Sequence, residues 1–422
     1  MGDSSQAPIY LVGAVGVPNY GDELIMGLWL RFLALTQPRC PVWVDGIDAG
    51  VAATLLNDLH PRVRVASTLW QTAARVAEAE LVTQELLADR FVRHRGTPRA
   101  DAGLDVVARA HRIHLVGGGY VNSLWETNTL LPVLAAKVNA AFGVPLAATG
   151  LGLTPLTRVL AKRVGRALAD FEVAESRDEN LSEELAASGV KAGFDDAFLG
   201  FHPRLAALTA NRRPDPPPRY MLLLQGDLVP DHQRSQFLAL ALAELRRAGW
   251  TTEPLGVVEA LPPDDAWVRG ELEKAGIGHV FFSFLDLWRN GLPFADDQYW
   301  VSSRFHFHLL AAGAGISGTA ISVSSDYYAP KHRSLTSLGT GWRVVDLDGV
   351  EMAAAQPEAT AAFPQLCRDI ATRKWALAEQ LYPSRWQRWL WLGRKGLAPL
   401  LGRYRKRQLV PQSAVAAPPT ER

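Results

Sequence analysis

Short apolar runs rich in branched residues alternate along the chain with longer segments in which apolar residues recur every three or four positions. The first pattern is typical of buried strands, and the second is typical of helices that cover a sheet. In the first half of the chain the predicted strands are Ile9–Val15, Val42–Asp45, Arg112–Val116, Leu146–Thr149 and Phe171–Ala174. The predicted helices between them are Glu23–Leu35, Gln71–His94, Leu130–Phe142 and Leu156–Ala169. This alternation predicts a doubly wound α/β lobe.

A proline-dense polar segment, residues 211–219, separates this series from a second one. Because proline lacks a backbone donor, the segment can continue neither a helix nor a central strand, and it is predicted to join two domains. The strands predicted beyond it are Tyr220–Gln225, Gly256–Val258, His279–Phe282, Thr319–Val323 and Trp342–Asp346. The helices predicted there include Gln236–Ala248 and Ala266–Ala275.

The two series predict an α/β protein made of two Rossmann-like, doubly wound lobes that face a cleft, an architecture called GT-B. A length of 422 residues agrees with two domains, since it exceeds what one ordinary core supports. The predicted division is residues 1–210 for the N-terminal lobe, 211–219 for the linker, 220–380 for the C-terminal lobe, and 381–422 for a basic, tryptophan-rich segment with a disordered tail.

Composition and charge narrow the class of protein. The 44 Lys and Arg residues nearly balance 43 Asp and Glu residues, so no overall attraction to nucleic acid is expected. Cys40 and Cys367 lie far apart and belong to no Cys/His cluster, which argues against a disulfide framework and a structural zinc site. The N-terminus does not have the pattern of a signal peptide, and no apolar run approaches membrane-spanning length. We therefore expect a cytoplasmic protein.

Loops at the predicted strand ends of the first lobe carry residues that can approach a ligand. The motif Asn19-Tyr20-Gly21-Asp22-Glu23 opens a helix, where backbone N–H groups can face an anion. Its other interpretation is purely structural, with Asp22 as a helix cap and Gly21 as a turn residue.

Two glycine-rich loops follow the next two predicted strands. Glycine lets the backbone approach an anion or a sugar closely, although a tight turn at a strand end is the alternative. The spacing matches neither a P-loop nor a dinucleotide-binding fingerprint, so a nucleotide is only weakly indicated. The glycines concerned are Gly117, Gly118, Gly119, Gly150 and Gly152.

Basic residues follow strands in both halves. Arg177, in Glu175-Ser176-Arg177-Asp178, can form bidentate hydrogen bonds with a phosphate or a carboxylate, or else a surface ion pair with Asp178.

In the second half, Ser302 to His308 read Ser-Ser-Arg-Phe-His-Phe-His. This run places one guanidinium group and two imidazoles at a predicted helix start. His308 shares a helix face with Arg304, whereas a non-helical first turn would favour His306 instead. Two histidines at this spacing also suggest a metal, but no third ligand is evident.

Taken in order, these motifs resemble the polysaccharide pyruvyl transferase family over roughly residues 9–339. The motifs that carry the resemblance are Asn19-Tyr20-Gly21-Asp22-Glu23, Gly117-Gly118-Gly119, Gly150-Leu151-Gly152 with Pro155, Ser176-Arg177-Asp178 before Ser182, Asp196-Ala197-Phe198, Ser303-Arg304-Phe305-His306, and Lys331 before a Leu-Gly pair. The chain departs from the family pattern at Phe307-His308, where small or aliphatic residues are more usual.

The resemblance implies an enzyme that transfers the pyruvyl group of phosphoenolpyruvate to a saccharide as a ketal, with no metal or organic cofactor. It implies that Arg177, Arg304 and His306 form the phosphoenolpyruvate-binding and catalytic set. We expect Ser303 and Lys331 to help bind the donor. The two glycine-rich loops, Asn19 and Gly21 are expected to face the acceptor.

The chemistry of phosphoenolpyruvate agrees with this interpretation, because its phosphate and carboxylate need at least two fork donors. We expect Arg177 and Arg304 to supply these from opposite lobes, His306 to act as the acid, with His308 as the other candidate, and Asp22 to act as the base. Two alternatives remain at this stage: a GT-B glycosyltransferase that uses a nucleotide-sugar, and a non-catalytic carbohydrate- or anion-binding protein.

Beyond about Leu381 tryptophans interleave with arginines and lysines. One interpretation is an amphipathic helix that rests on the anionic inner face of the cell membrane and brings the enzyme to a lipid-linked saccharide. The other is that the tryptophans pack back onto the lobes.

Overall fold

The computed structural model describes residues 7–95, 98–324 and 328–383, and the C-terminal tryptophan-rich segment lies outside them. The strands of the first lobe are β1 (Ile9–Val12), β2 (Val42–Asp45), β3 (Val63–Ala66), β4 (Arg112–Leu115), β5 (Leu146–Leu151), β6 (Val173–Ser176) and β7 (Lys191–Ala192). Those of the second lobe are β8 (Tyr220–Leu223), β9 (Leu255–Val258), β10 (His279–Phe282), β11 (Tyr299–Ser302), β12 (Ser317–Ser322), β13 (Arg343–Asp346) and β14 (Glu351–Ala353).

Helices cover both faces of each sheet. In the first lobe they are α1 (Tyr20–Thr36), α2 (Ala49–Leu56), α3 (Leu69–Ala77), α4 (Leu81–His94), α5 (Pro98–Val107), α6 (Leu130–Phe142), α7 (Arg158–Leu168) and α8 (Glu183–Ala187). After the proline-dense segment come α9 (Asp231–Arg247), α10 (Trp267–Lys274), α11 (Phe284–Asn290), α12 (Phe305–Gly313), α13 (Tyr328–Ser337) and α14 (Pro357–Leu381). None of the helices in the described ranges combines the length and the apolar character needed to cross a membrane.

Each sheet has the strand order of a doubly wound fold. The first runs β3-β2-β1-β4-β5-β6-β7 and the second runs β10-β9-β8-β11-β12-β13-β14, so both reverse direction beside their first strand. All pairings are parallel except that of β13 with β14. The prediction of two Rossmann-like α/β lobes is confirmed, and the reversal point of each sheet is where ligands bind in such folds.

Several predicted elements have different bounds. The helix predicted at Gln71–His94 is two helices, because the backbone of Glu80 is extended and ends the helical run between them. The first strand ends at Val12 rather than Val15, since a glycine-containing loop starts at Gly13. The strand β11 was not predicted, although it lies beside β8 in the middle of the second sheet, because its apolar run is only a few residues long.

The two lobes share one hydrophobic core. This core contains residues of α1 such as Trp29 together with Trp300 of β11 and Trp375 of α14. Across the lobe boundary, the backbone N–H of Tyr20 donates to the carbonyl of Ala260 at 2.9 Å. A continuous apolar core of this kind holds the lobes at a defined separation.

The last helix, α14, returns from the second lobe to the first. Cys367, close to the middle of the helix, packs by Gly313 of α12, and Trp375 further along packs edge-on against Phe32 of α1 with ring centroids 4.9 Å apart. The predicted division at 220–380 therefore does not describe the packing of this helix, because its buried face meets both lobes. The Gln37 side chain holds the described end of the chain by donating to the Pro383 carbonyl at 2.7 Å.

A buried carboxylate, Asp196, lies where α14 meets the first sheet. It accepts hydrogen bonds from Trp29 Nε1 (2.8 Å), the Gly117 N–H (2.9 Å), Thr149 Oγ1 (2.6 Å) and Lys374 Nζ (2.7 Å). Both Asp196 and Lys374 are buried. Burial alone would raise the pKa of Asp196, but the Lys374 ammonium holds it below its ordinary value.

We expect Lys374→Ala to lower the free energy of unfolding by about 3 kcal/mol or more, because it leaves the buried Asp196 charge without its cationic partner. Denaturant titration followed by circular dichroism measures this. The matched control is Arg373→Ala, which removes an exposed charge from the same helix and should change stability by less than about 0.5 kcal/mol. Equal effects of the two substitutions would contradict the role given to Lys374.

A second buried carboxylate, Glu23, holds the loop after β1. Its Oε1 accepts from the Gly16 N–H at 2.7 Å, and its Oε2 has no hydrogen-bond partner within the described part of the chain. Burial, with a smaller contribution from the charge of Asp22, raises the pKa of Glu23 to about 8. The folded protein therefore holds this proton more tightly than the unfolded chain does.

Stability should consequently fall as the pH rises from the ordinary pKa of Glu23, 4.5, to its folded value of about 8. Between these two values Glu23 lowers the free energy of unfolding by about 1.4 kcal/mol per pH unit, which amounts to about 3 kcal/mol by neutral pH. Glu23→Gln keeps an acceptor for Gly16 and should remove this slope. The exposed control Glu80→Gln should retain it. Urea unfolding at a series of pH values tests this, and parallel curves for the three proteins would disprove it.

Candidate functional site

A cavity of about 290 Å³ lies between the lobes at the carboxyl ends of their strands. Loops after β1, β2, β4 and β6 line it from the first lobe, and loops after β8 and β9 together with the first turns of α12 and α13 line it from the second. The predicted site residues that line this cavity are Asn19, Gly21, Asp22, Gly119, Arg177, Arg304, His306 and Lys331. The structure therefore brings together side chains that are up to about 300 positions apart in the chain.

The lobes meet most closely where Gly21 faces His306. A Cβ atom placed on Gly21 would lie 1.8 Å from Nδ1 of His306, so no other residue fits at this position without movement. Asn19 caps the helix α1 by accepting from the Gly21 N–H at 3.3 Å. The glycine is thus required by the close approach of a side chain from the other lobe.

Arg177 and Asp195 form a buried ion pair at the centre of the site. The same Asp195 oxygen lies 3.5 Å from Nε2 of His306, and the Arg177 guanidinium lies over the ring of Phe305 at 4.5 Å. Burial alone would raise the pKa of Asp195, but the charges of Arg177 and His306 hold it well below its ordinary value. Arg177 therefore pairs across the first lobe, and not with its neighbour Asp178, whose carboxylate accepts from the Leu153 N–H.

The Arg304 side chain extends into the cavity from the second lobe, and its guanidinium group pairs with a carboxylate of that lobe. Its Nη2 and Nε lie 2.5 Å and 3.2 Å from the two oxygens of Asp265, and Nη2 also lies 2.6 Å from Asp227. Asp265 is fully buried and accepts further hydrogen bonds from the backbone of Ala260 and Leu261. A guanidinium held in this way has a fixed position.

The two histidines of the Arg-Phe-His-Phe-His run have different surroundings. Arg304 caps α12 with an extended backbone, so it is not on the helix and does not share a face with His308. His306 lines the cavity, whereas His308 is fully buried, with Nδ1 3.1 Å from Nδ1 of His332 and Nε2 2.9 Å from Thr340 Oγ1. His308, the other candidate for the acid, thus has its ring enclosed in the core of the second lobe and does not line the cavity.

Ser303 was expected to help bind the donor, but its side chain does not line the cavity. Its side chain is fully buried, and its Oγ accepts from the backbone N–H of Gln225 at 2.9 Å. This hydrogen bond joins β11 to the loop after β8. Ser303 thus fixes the backbone before Arg304 and is not one of the residues that line the cavity.

The glycine loops divide into two groups. Gly118 lies beside Asp22, and Gly152 lies beneath Arg177, where an added Cβ would come within 2.9 Å of the guanidinium. Gly117 and Gly150 instead approach Asp196, the buried carboxylate that binds Lys374. These last two glycines therefore make room for a protein carboxylate and not for a ligand.

Asp22 and Lys331 complete the charged lining of the cavity. Burial raises the pKa of Asp22, and the nearby charges of His306, Arg177 and Lys331 oppose this shift. Burial, helped by the charge of Arg177, lowers the pKa of Lys331 well below its ordinary value. Lys331 lies in the first half of α13.

Sequence reasoning missed two acidic residues of the site, Asp227 and Asp265. Each follows the carboxyl end of a predicted strand, β8 or β9, and this position is the signal that could have identified them. No group of three or more His, Cys, Asp or Glu side chains suited to a metal ion occurs within residues 7–95, 98–324 and 328–383.

Comparisons with known proteins identify the fold. No protein-family model matches the chain, and no curated protein matches it. A solved glycotransferase of kitacinnamycin is similar with a TM-score of 0.51 and 12% identity, over 90% of this chain and 100% of that one. The UDP-GlcNAc 2-epimerase from Neisseria meningitidis bound to UDP-GlcNAc gives a TM-score of 0.46 and 10% identity, over 88% and 96% of the two chains.

A putative UDP-N-acetylglucosamine 2-epimerase from Listeria monocytogenes gives a TM-score of 0.45 at 13% identity, over 96% of this chain and 98% of that one. These three proteins are a glycotransferase and two epimerases, and none of them is a pyruvyl transferase. At such identities the likeness concerns the fold. The chain has a two-lobed α/β fold of the GT-B type, as its sequence predicts.

Proposed function

We propose that this protein transfers the pyruvyl group of phosphoenolpyruvate to two hydroxyls of a saccharide, forming a ketal and releasing phosphate. The observation that carries the proposal is the convergence of Arg177, Arg304, His306 and Lys331 on one interlobe cavity beside Asp22. These are the positions at which the sequence resembles polysaccharide pyruvyl transferases. They come from both lobes, so the folded chain assembles the set from distant motifs.

The size and charge of the cavity support a compact, anionic donor. Its volume of about 290 Å³ is at the lower end of the range for small-molecule sites, about 300 to 1,000 Å³. Lys331 offers a point charge to a phosphate, and Arg177 and Arg304 are held at fixed positions by Asp195 and Asp265. Because both guanidinium groups are already held in place, they lose little conformational freedom when a ligand binds.

In the proposed reaction His306 gives a proton to the methylene carbon of phosphoenolpyruvate, which leaves C2 electron-poor. A saccharide hydroxyl then attacks C2 and forms a C–O bond, while Asp22 accepts the hydroxyl proton. The pKa of Asp22, raised by burial, makes this carboxylate a better base than an exposed one. A second hydroxyl of the same saccharide displaces phosphate, and its proton leaves with the phosphate. The net change is one ketal formed and one phosphate released.

A second candidate function is transfer from a nucleotide-sugar. The observation that favours it is the fold, since the similar solved structures include a glycotransferase and an epimerase bound to UDP-GlcNAc. These comparisons support a nucleotide-sugar more directly than they support phosphoenolpyruvate. The two candidates differ in the donor, so a binding measurement separates them.

The decisive experiment is isothermal titration calorimetry of phosphoenolpyruvate and, separately, of a panel of UDP-sugars. Lys331→Ala is the better test variant, because Arg304→Ala would leave the buried Asp265 unpaired and endanger folding. We expect phosphoenolpyruvate to bind the wild type and to bind Lys331→Ala about 10- to 100-fold more weakly, the effect of losing a charged hydrogen bond.

The matched control is Arg333→Ala, which removes an exposed cation two positions further along the same helix and should leave binding unchanged. Release of phosphate in the presence of a saccharide would extend the result from binding to turnover. Binding of a UDP-sugar without binding of phosphoenolpyruvate would refute pyruvyl transfer and favour the second candidate.

A further inference from the structure

The cavity has an apolar side that neither the donor nor the proposed acid and base uses. Val17, Ile47 and Trp125 line it from the first lobe, and these three side chains are 43%, 41% and 42% exposed. We call these three residues the apolar rim. Exposed apolar side chains grouped at the mouth of a cavity usually mark a binding surface.

Trp125 stands on a firmly held turn. The Asn122 side chain accepts from the Leu124 N–H at 2.9 Å and donates to the Gly119 carbonyl at 2.8 Å, while the Ser123 N–H donates to the Pro155 carbonyl at 2.8 Å. The backbone of Trp125 departs from helical geometry, with φ −128° and ψ 68°. Because the turn that carries the indole is already ordered, ligand binding would cost little conformational entropy there.

Polar groups lie around the apolar rim. The amides of Asn19 and Asn128 and the carboxylate of Asp22 line the same cavity. Asn128 is held by its own donation to the Tyr120 carbonyl at 3.0 Å. A flat aromatic surface bordered by amide and carboxylate groups suits a ligand that has an apolar face and a polar edge.

A pyranose ring is such a ligand, because its C–H groups form an apolar face and its hydroxyls project from the edge. We propose that the apolar rim is the saccharide subsite, with the ring stacked on Trp125 and its hydroxyls directed at Asn128, Asn19 and Asp22. The role of this saccharide as the acceptor rests on the proposed function. Binding of the saccharide does not, because the rim belongs to the first lobe and Lys331 and Arg304 belong to the second.

The subsite is tested by saturation-transfer difference NMR with methyl glycosides of glucose, galactose, mannose and N-acetylglucosamine, without any donor present. We expect ring C–H protons of at least one glycoside to be saturated by the wild type. Trp125→Ala should bind that glycoside about tenfold more weakly, and Trp125→Phe should keep most of the affinity, since the stacking surface remains. The matched control is Leu124→Ala, which removes a neighbouring side chain that is 47% exposed and does not line the cavity.

Equal binding to wild type and Trp125→Ala, or no binding of any glycoside to the wild type, would overturn the subsite. Saturation of dihexanoyl phosphatidylglycerol by the rim in place of the glycosides would also overturn it and would make the rim a lipid contact. Circular dichroism of Trp125→Ala separates loss of binding from loss of fold. Calorimetry with phosphoenolpyruvate is independent of these results, so the donor and the subsite can fail separately.

Discussion

The site depends on the burial of two consecutive carboxylates, Asp195 and Asp196. A buried charge is tolerated only when it is paired and hydrogen-bonded, so each of them draws partners from distant parts of the chain. Asp196 binds Trp29, Gly117, Thr149 and Lys374, which fixes α1, the loop after β4, the strand β5 and the last helix to one another. Asp195, one residue away, then has a fixed position from which it pairs with Arg177 and faces His306.

A similar arrangement fixes the cation from the second lobe. Asp265 is fully buried, receives backbone N–H groups and holds the fork of Arg304. Each arginine in the cavity is therefore paired with a buried carboxylate of its own lobe. These pairs fix the positions of both guanidinium groups, and each paired carboxylate offsets part of the positive charge. Lys331 adds an amino group whose pKa burial lowers.

Local pattern was enough to predict the two lobes and eight of the residues that line the cavity. Buried strands such as β1 and β8 are continuous apolar runs, and ligand loops follow strand ends, so Asp22, Arg177 and His306 could be selected from the sequence. Long-range packing was not predictable in this way. The burial of His308 depends on where α12 begins, and the pairing of Arg304 depends on a loop that lies about 40 residues earlier in the chain.

The path of α14 restricts how the cleft can open. The chain passes between the lobes once at residues 211–219 and again within α14, which packs by α12 through Cys367 and against Phe32 through Trp375. Moving the lobes apart would separate Gly21 from His306, and it would also expose apolar side chains of the core that the lobes share. Exposing apolar area costs free energy in proportion to the area, so the shared core resists this separation. The glycine that admits the histidine ring therefore lies at a contact that the core on either side of it helps to maintain.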